Sequence, residues 1–280
     1  MKTEIEQLKE WMEQADAVIV GVGSGLSSAA GYNHYHWKSA LEQPLHQLRE
    51  TYGLESPFAG FYYHYSDYES MWGYYSQYIR AMMDAPTGQP VLELKKFIGE
   101  KPHFILTTNI DMQLAREFDE KNLCMFQGDF SMLQCSQPCS DELISARKLI
   151  YEMTENLIDG MWIPSELVPR CEHCGRVLVP WVRDDTFLEG SDWKESLQRY
   201  YDFVEKWVGQ KDKTVLLLEL GVGEMTPAII KLPFWNMAAE NENVRYVCMN
   251  QKESSAPQHL KDRGLYVQGD LARTLHFLNK

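Results

Sequence analysis

The chain lacks the long apolar runs that cross membranes. No stretch of its 280 residues approaches the roughly 20 consecutive apolar residues that a membrane helix needs. The opening stretch, MKTEIEQLKEWMEQ, mixes charged and apolar residues and is not typical of a secretory signal. We therefore expect a cytoplasmic chain that has no membrane partner.

Positive charge is also scarce. The 27 Lys and Arg residues are outnumbered by 40 Asp and Glu residues, which gives a formal net charge of −13. Surfaces that bind nucleic acid need clustered Lys and Arg to neutralise phosphates, so this balance argues against a nucleic-acid partner. Apolar residues are plentiful at 44%, enough to fill the core of one large domain or one domain with an insertion.

The six cysteines favour free thiols or a metal over disulfides, because no secretory signal precedes them. Four of them form two close pairs separated by about thirty residues, a spacing that predicts a tetrahedral zinc site. The predicted ligands are Cys135, Cys139, Cys171 and Cys174. Four thiolates leave no open coordination position, so we expect a structural zinc ion. The alternative is a set of reduced thiols without metal. Cys124 and Cys248 lie in strand-like runs and are expected to be buried.

A glycine-rich turn follows the first predicted strand. Residues 3–15 have apolar side chains at helical spacing, and residues 17–20 form a short apolar run. That run leads into residues 21–27, GVGSGLS. Glycine permits close backbone approach and a helix N-terminus favours anions, so this arrangement predicts binding of a pyrophosphate. The alternative is a tight turn with a purely structural role.

The residues after this turn depart from an ordinary dinucleotide-binding unit. Such a unit would show a second strand and an acidic residue about 20 residues on, which argues against a plain dehydrogenase here. Residues 32–90 are instead crowded with aromatic rings, and we interpret them as an inserted helical cap. Most of these rings are expected to pack in its core, with a minority lining a cofactor pocket.

Two further apolar runs end in polar residues. Residues 104–106 lead into Thr107-Thr108-Asn109-Ile110-Asp111, and residues 123–126 lead into Gln127-Gly128-Asp129. Buried parallel strands whose carboxyl ends face one crevice give this pattern, and ligands of open α/β sheets bind there. Residues 179–186 are either a surface loop or a loop that closes over the crevice.

The C-terminal part repeats the pattern. Predicted strands at residues 215–220, 244–249 and 265–267 end in Gly221-Val222-Gly223, Asn250 and Gly269-Asp270. The helices predicted in this part of the chain and before it cover residues 91–98, 191–208, 227–230 and 271–278. The resulting fold class is α/β.

In order and spacing, these motifs resemble the sirtuin family of NAD-dependent enzymes across nearly the whole chain. Gly23-Ser24-Gly25-Leu26-Ser27 is similar to the family's Gly-Ala-Gly-Ile-Ser, and Thr107-Thr108-Asn109-Ile110-Asp111 to its Thr-Gln-Asn-Ile-Asp. The cysteine pairs are similar to its zinc ligands, although the first is spaced by three residues rather than two. Gly221-Val222-Gly223 and Met249-Asn250 stand where the family has Gly-Thr-Ser and Ile-Asn.

The resemblance implies a Rossmann-like parallel sheet with a smaller inserted helical and zinc-binding domain. We expect residues 1–31, 90–134 and 178–280 to form the NAD-binding domain. Residues 32–89 and 135–177 would then form the small domain, with the helical cap and the four-cysteine module.

Two departures from the family pattern change the expected activity. Gln127 stands where the family has its catalytic histidine, and His34-Tyr35-His36 aligns with its Asp-Phe-Arg. With Gln127-Gly128-Asp129 and the loop that starts at Arg183, these departures resemble the macrodomain-linked branch of bacterial sirtuins. That branch implies mono-ADP-ribosylation of a protein with release of nicotinamide, a lipoylated carrier protein as acceptor, and a macrodomain hydrolase as a further partner.

The resemblance also implies roles for individual residues. Asn109 and Asp111 would support cleavage of the nicotinamide–ribose bond, with Asp111 holding the carboxamide. Gln127 would orient the ribose or the acceptor, and Asp129 would act as base for the protein nucleophile. Together, the strand-end pattern and the resemblance assign cofactor binding to Gly23, Ser24, Gly25, Ser27, Tyr35, His36, Thr108, Asn109, Asp111, Gln127, Gly221, Val222, Gly223, Asn250 and Asp270.

Three other functions remain open at this stage. The chain could be an NAD-dependent deacylase that tolerates Gln127, an enzyme that hydrolyses NAD without a protein acceptor, or a non-catalytic sensor of NAD or ADP-ribose. A glutamine amide cannot accept a proton as histidine does, and this difference favours the transferase over the deacylase.

Overall fold

Two sheets and the helices around them make up the structure, a computed structural model that describes residues 3–224, 227–252 and 258–280. The strands are β1 (Ala17–Val22), β2 (His103–Thr107), β3 (Leu123–Met125), β4 (Gly128–Cys135), β5 (Ile144–Ser145), β6 (Leu178–Val182), β7 (Val215–Leu220), β8 (Val244–Asn250) and β9 (Gly264–Gln268). The α-helices are α1 (Glu4–Gln14), α2 (Ser24–Ala29), α3 (His46–Tyr52), α4 (Tyr68–Asp84), α5 (Gln89–Ile98), α6 (Arg147–Glu155), α7 (Ser191–Val208), α8 (Lys231–Glu240) and α9 (Leu271–Leu278). Within the described residues, no helix combines the length and apolar character needed to span a bilayer.

The larger sheet has six parallel strands in the order β3-β2-β1-β7-β8-β9. β1 pairs with β2 on one side and with β7 on the other, so the direction of strand order reverses between β1 and β7. The predicted α/β class with a Rossmann-like parallel sheet is confirmed. Ligands of such sheets bind in the crevice at this reversal, beyond the carboxyl ends of the strands.

Helices cover both faces of this sheet, which is why its strands read as continuous apolar runs. Val18 and Val20 point into one core with Leu94 of α5. Ile19 lies between them in sequence and points into the opposite core with Phe234 of α8. This alternation follows from the two-residue period of a strand. The sheet is therefore rigid on both sides of the crevice.

The smaller sheet is antiparallel, with the order β5-β4-β6, and it packs against the aromatic segment. Trp72, Tyr74 and Tyr78 of α4 are fully buried there with Phe130 of β4. The predicted helical cap is confirmed, and most of its rings are packing residues, as expected.

Two local predictions are wrong. The helix predicted to start at Pro227 starts at Lys231. Proline is tolerated only in the first turn of a helix, where its missing N–H is not needed, and a start at Lys231 places Pro233 in that turn. Residues 179–186 are not simply a loop, because residues 179–182 belong to β6, which pairs with β4. Pro180 is accommodated because β6 is an edge strand.

The division into two domains stays a prediction. Its boundaries place most of β4 and all of β6 in the large domain, whereas these strands pair with each other in the smaller sheet.

Candidate active site

The loops that follow β1 and β7 pack backbone against backbone. Gly25 N–H donates to the Gly221 carbonyl at 3.0 Å, and Gly23 N–H donates to the Leu220 carbonyl at 2.9 Å. A Cβ on Gly25 would lie 2.6 Å from the Cα of Gly221, so a side chain would not fit there. Gly221 also has a φ of +58°, in the left-handed region. Glycine in these turns is therefore required by the fold itself.

Asn109 ties the end of β2 to the glycine turn. Its Nδ2 donates to the Gly23 carbonyl at 3.0 Å, and its backbone N–H donates to the Thr107 hydroxyl at 3.0 Å. Thr108 N–H donates to the Val22 carbonyl at 3.0 Å. The Nδ2 bond fixes the orientation of the Asn109 side chain beside the cavity, although Asn109 is not part of the cavity lining itself.

A cavity of about 360 Å³ opens at this point, within the size range of small-molecule sites. It is lined by Gly23, Ser24, Tyr35, Phe58, Tyr62, Thr108, Ile110, Gln127, Val182, Arg183 and Gly223. The structure thus brings Gly23, Ser24, Tyr35, Thr108, Gln127 and Gly223 together from the predicted set. The aromatic members of the lining come from the helical cap, as expected for a minority of its rings.

Asp111 follows Ile110 of the cavity lining in the chain and is only 2% exposed. Its Oδ1 accepts a hydrogen bond from Gln113 N–H at 3.2 Å. Burial by itself raises the pKa of this carboxyl, but His34, Ser27 and the Gln113 backbone outweigh burial and hold the pKa below its ordinary value. Asp111 is thus an anion in a nearly closed environment, and Ser27 is one of the groups that stabilise it.

His34 is the residue from the aligned His34-Tyr35-His36 segment that faces Asp111, with Nε2 3.8 Å from Oδ2. Sequence reasoning assigned Tyr35 and His36 to the cofactor site instead. His36 is exposed and does not line the cavity. The alignment with the family's Asp-Phe-Arg included His34, but a sequence pattern alone does not show which way each side chain points.

Asn250 and Asp270 lie at the neighbouring strand ends and outside the cavity lining. Asn250 Nδ2 donates to the Val222 carbonyl at 3.0 Å, which fixes the loop after β7. The Gly269 N–H in turn donates to the Asn250 carbonyl at 3.0 Å. Asp270 caps α9 by accepting from Arg273 N–H at 2.9 Å, and it lines a separate surface pocket.

Asp129 is fully buried and lines a second cavity with Trp181 and Ser196, not the cavity that contains Gln127. Its Oδ1 accepts hydrogen bonds from the backbone and hydroxyl of Ser131. Burial raises the pKa of this carboxyl, and the nearby charge of Asp111 raises it further. Asp129 thus lies in a different cavity from Gln127, although it is close enough to Asp111 to be affected by its charge.

Arg183 is the charged residue of the described cavity lining, and sequence reasoning noted it only as the start of a loop. Its guanidinium carbon lies 4.2 Å from the centre of the Phe187 ring and farther from two more rings, those of Phe126 (5.0 Å) and Trp193 (5.1 Å). Nη1 also donates to Glu189 at 2.8 Å. Stacking on several rings fixes the cation at the edge of the cavity.

The four predicted zinc ligands converge. Their sulfur atoms all lie within 4.8 Å of one another, and the Cys135–Cys174 and Cys139–Cys171 pairs are each 3.5 Å apart. Two thiolates at 2.3 Å from a zinc ion in a tetrahedron are about 3.8 Å apart, so the cluster fits zinc. His173 is not one of the clustered ligands, and its Nε2 contacts Glu142 at 3.0 Å. Four cysteines in this arrangement can hold a structural zinc ion.

Solved structures of sirtuins share this fold. A Sir2 homologue in complex with NAD superposes with a TM-score of 0.59 at 15% identity, covering 98% of this chain and 93% of that one. A mutant Sir2 homologue with ADP-ribose gives 0.63 at 16% identity, covering 98% and 94%. Sir2 bound to an acetylated peptide gives 0.59 at 15% identity, covering 99% and 97%. Identities this low show the fold alone.

The sequence comparison is more specific. No protein-family model matches the chain. A Staphylococcus aureus protein named protein ADP-ribosyltransferase is 31% identical over 271 residues, which cover 95% of this chain and 84% of that protein. The chain belongs to the sirtuin-like protein ADP-ribosyltransferases.

A second relative of this ADP-ribosyltransferase comes from Fusarium oxysporum and is named a probable bifunctional ADP-ribose hydrolase/ADP-ribosyltransferase. It is 27% identical over 287 aligned positions, which cover 96% of this chain but only 47% of the fungal protein. The ADP-ribosyltransferase described here thus spans about half the length of that relative.

Proposed function

We propose that this enzyme transfers ADP-ribose from NAD to a protein and releases nicotinamide. In this reaction the bond between the nicotinamide nitrogen and the ribose C1′ breaks, and its electron pair leaves with nicotinamide. A nucleophilic atom of the acceptor protein bonds to C1′ and gives up its proton. The family relationship and the cavity beside the glycine turn support this reaction.

The position of Gln127 in the cavity is the observation that carries the proposal. Deacylation by a sirtuin-type site needs a base for a ribose hydroxyl, and an amide cannot serve as that base. Losing a general base typically lowers a rate by about 10²–10⁴. Cleavage of the nicotinamide–ribose bond does not need it. A site with Gln127 therefore retains the first step and disfavours deacylation.

The glycine turn and the residues after β2 support the binding of NAD. The glycine turn, with Gly23 and Ser24 at the cavity, would hold the pyrophosphate. The side-chain oxygen of Asn109 would stabilise positive charge that develops on the ribose, since Asn109 is held in place by Gly23. Asp111 would bind the carboxamide of nicotinamide. A zinc ion bound by the four cysteines would stabilise the small sheet and take no part in the reaction, because it has no open position.

We further propose that the acceptor is a lipoylated carrier protein in the cytoplasm and that a macrodomain hydrolase removes the modification. The resemblance to the macrodomain-linked sirtuin branch supports both partners. The bifunctional name of the fungal relative also supports the hydrolase.

Labelled NAD incubated with the enzyme and a lipoylated carrier protein tests the proposal. Mass spectrometry should find one ADP-ribose unit on the carrier, together with free nicotinamide. Asn109→Ala should lower the transfer at least tenfold, whereas Asn156→Ala, at the exposed end of α6, should leave it unchanged. Label that never reaches protein, with O-acyl-ADP-ribose formed from an acylated carrier instead, would show a deacylase. Nicotinamide release without labelled protein would show an NAD hydrolase, and binding of NAD without nicotinamide release would show a sensor.

A further inference from the structure

The second cavity, the one that Asp129 lines, is bordered by both sheets. Residues of β3 and α7 line it from the large sheet and its helix layer, and residues of β4 and β6 line it from the small sheet. Its volume of about 360 Å³ is at the lower end of the range for small-molecule sites. Among the described residues, none lines both this cavity and the cavity that contains Gln127, so the two are separate.

Asp129 has an unpaired oxygen at this cavity. The residue is fully buried, and its Oδ1 accepts hydrogen bonds from the backbone and the hydroxyl of Ser131. Its Oδ2 has no hydrogen-bond partner among the described residues. Because buried polar atoms are nearly always paired, a hydrogen-bonding group is missing at this wall of the cavity.

Arg199 of α7 is a second unpaired group in the lining. Its side chain is half-buried, and its Nε is enclosed without a hydrogen-bond partner among the described residues. No carboxylate of those residues forms an ion pair with it. Glu120 and Asp192 also line the cavity, but both are exposed and remain hydrated. A guanidinium partly withdrawn from water favours an anionic partner, and its planar fork of donors matches a carboxylate.

Much of the remaining lining is apolar. It includes the rings of Phe118 and Trp181 and the side chains of Met125, Met132 and Leu143. Trp181 is held in place, because its Nε1 donates to the Leu188 carbonyl at 3.0 Å. Methionine side chains adapt to the shape of a neighbouring group, and contacts between their sulfur and an aromatic ring are favourable. These walls therefore suit a ligand with an aromatic body.

We infer that the second cavity binds a small aromatic carboxylate that carries a hydroxyl group, at a site additional to the proposed NAD site. The carboxylate pairs with Arg199, and the ring packs against Trp181 and the methionines. The hydroxyl supplies the partner that Oδ2 of Asp129 lacks. A hydroxyl both donates and accepts, so it can pair with Asp129 in either protonation state. Because the two polar contacts come from α7 and β4, the ligand joins the two sheets.

Two other occupants would satisfy part of this lining. An ammonium group would pair with Asp129 and leave Arg199 without an anion. Ordered water would pair with both groups, but the apolar walls offer it no hydrogen bonds. Each of these occupants predicts a different outcome when ligands are compared.

Three ring compounds of similar size distinguish the occupants by calorimetry on the whole chain. The probes are 4-hydroxyphenylacetate, phenylacetate, which lacks the hydroxyl, and tyramine, which has an ammonium group in place of the carboxylate. 4-Hydroxyphenylacetate should bind at one saturable site, at least tenfold more tightly than tyramine and at least threefold more tightly than phenylacetate. The absence of saturable binding would indicate water alone. That result, or tyramine or phenylacetate binding as tightly as 4-hydroxyphenylacetate, would overturn the inference.

Two variants of α7 test the role of Arg199. Arg199→Met keeps the long side chain and removes the charge, so it should weaken 4-hydroxyphenylacetate at least tenfold. Lys206→Met is the matched control, because Lys206 is an exposed cation of the same helix outside the lining, and it should leave the affinity unchanged. Equal affinities of Arg199→Met and wild type would overturn the inference.

A further variant tests the location and replaces Arg199→Met if that variant fails to fold. Leu143 is half-buried in the lining, and the larger ring of Leu143→Trp should fill the cavity. The variant should lose 4-hydroxyphenylacetate binding and keep the wild-type affinity for ADP-ribose. Saturating ADP-ribose should not displace 4-hydroxyphenylacetate from wild type. Displacement by ADP-ribose, or binding that persists in Leu143→Trp, would place the probe elsewhere and overturn the inference.

Discussion

Gly25 and Gly221 touch through their backbones at the carboxyl ends of the two central strands. The contact joins the loop after β1 to the loop after β7, with a hydrogen bond of 3.0 Å from Gly25 N–H to the Gly221 carbonyl. The two loops that border the crevice therefore hold each other in position.

Substitution at this contact should disrupt both stability and cofactor binding. The Cβ of Gly25→Ala would lie 2.6 Å from the Cα of Gly221, and neither backbone can move without shifting a central strand. We expect a loss of about 1–3 kcal/mol of stability, as for overpacked sites, and at least tenfold weaker NAD binding. Thermal unfolding and calorimetry measure the two effects. Gly223→Ala is the control for stability alone, because a Cβ there has open space around it, although Gly223 lines the cavity. Equal losses of stability in the two variants would contradict the prediction.

The cysteine cluster predicts about one zinc ion per chain. Cys139→Ser should lose the metal and lower the melting temperature, although Cys139 is exposed and its replacement leaves no cavity in the core. Elemental analysis of the purified protein gives the zinc content. Cys124→Ala should keep its zinc, because Cys124 lies in β3 of the large sheet and is not one of the four clustered cysteines. Full zinc content in Cys139→Ser would argue for reduced thiols without metal.

A buried ion pair fixes the start of α8 under the loop after β7. Lys231 Nζ donates to Glu219 Oε1 at 2.5 Å, and Tyr246 donates to Glu219 Oε2 at 2.7 Å. Lys231→Met would leave Glu219 as an unpaired buried charge, which typically costs about 3–5 kcal/mol. Denaturant unfolding measures this loss. Tyr246→Phe keeps the ion pair and should cost only about 1 kcal/mol. The double variant Glu219→Gln/Lys231→Met should recover much of the stability, and a failure to recover would contradict the explanation.

The burial of Asp129 predicts that the stability of the protein falls as pH rises, which is opposite to the usual effect of a carboxyl group. Burial raises its pKa in the folded state above the ordinary value of 3.8, so the unfolded chain ionises first as pH rises. The free energy of unfolding therefore falls as pH rises from 3.8 toward the folded pKa and stays lower above it. Asp129→Asn removes this proton and can still accept the Ser131 hydrogen bonds. The variant should be more stable than wild type at about pH 7, with a smaller difference at about pH 3. Melting curves across this range test the sign, and a difference that does not change with pH would contradict it.

The parallel sheet was predictable because its signal is local. Each of its strands is an apolar run that ends in glycine or polar residues, and burial on both faces produces such a run whatever the rest of the chain does. The four cysteines were predictable for the same reason, since each pair is close in sequence.

The parts that were missed depend on contacts between distant residues. β6 contains Pro180 and is recognisable only through its pairing with β4. The sequence did not show that His34 is buried while His36 is exposed, because Tyr78 and Phe58, which hold His34 in place, lie far along the chain. Gln127 and Asp129 are two residues apart, so strict strand alternation would place them on the same face. Gly128 between them has a φ of +72°, which breaks the alternation, and the two side chains line different cavities.

The carbonyl of Phe126 has a consequence for how the crevice can open. It accepts a hydrogen bond from Trp193 of α7 at 3.0 Å and another from Nη2 of Arg183, after β6, at 3.3 Å. One atom at the end of β3 thus joins the helix on the large sheet to the small sheet. Sliding the small sheet would break the bond from Arg183 and leave the bond from Trp193, whereas tilting the small sheet about this point would keep both. We therefore expect the crevice to open by a tilt that pivots near Phe126, with Gln127, next to the pivot, moving least.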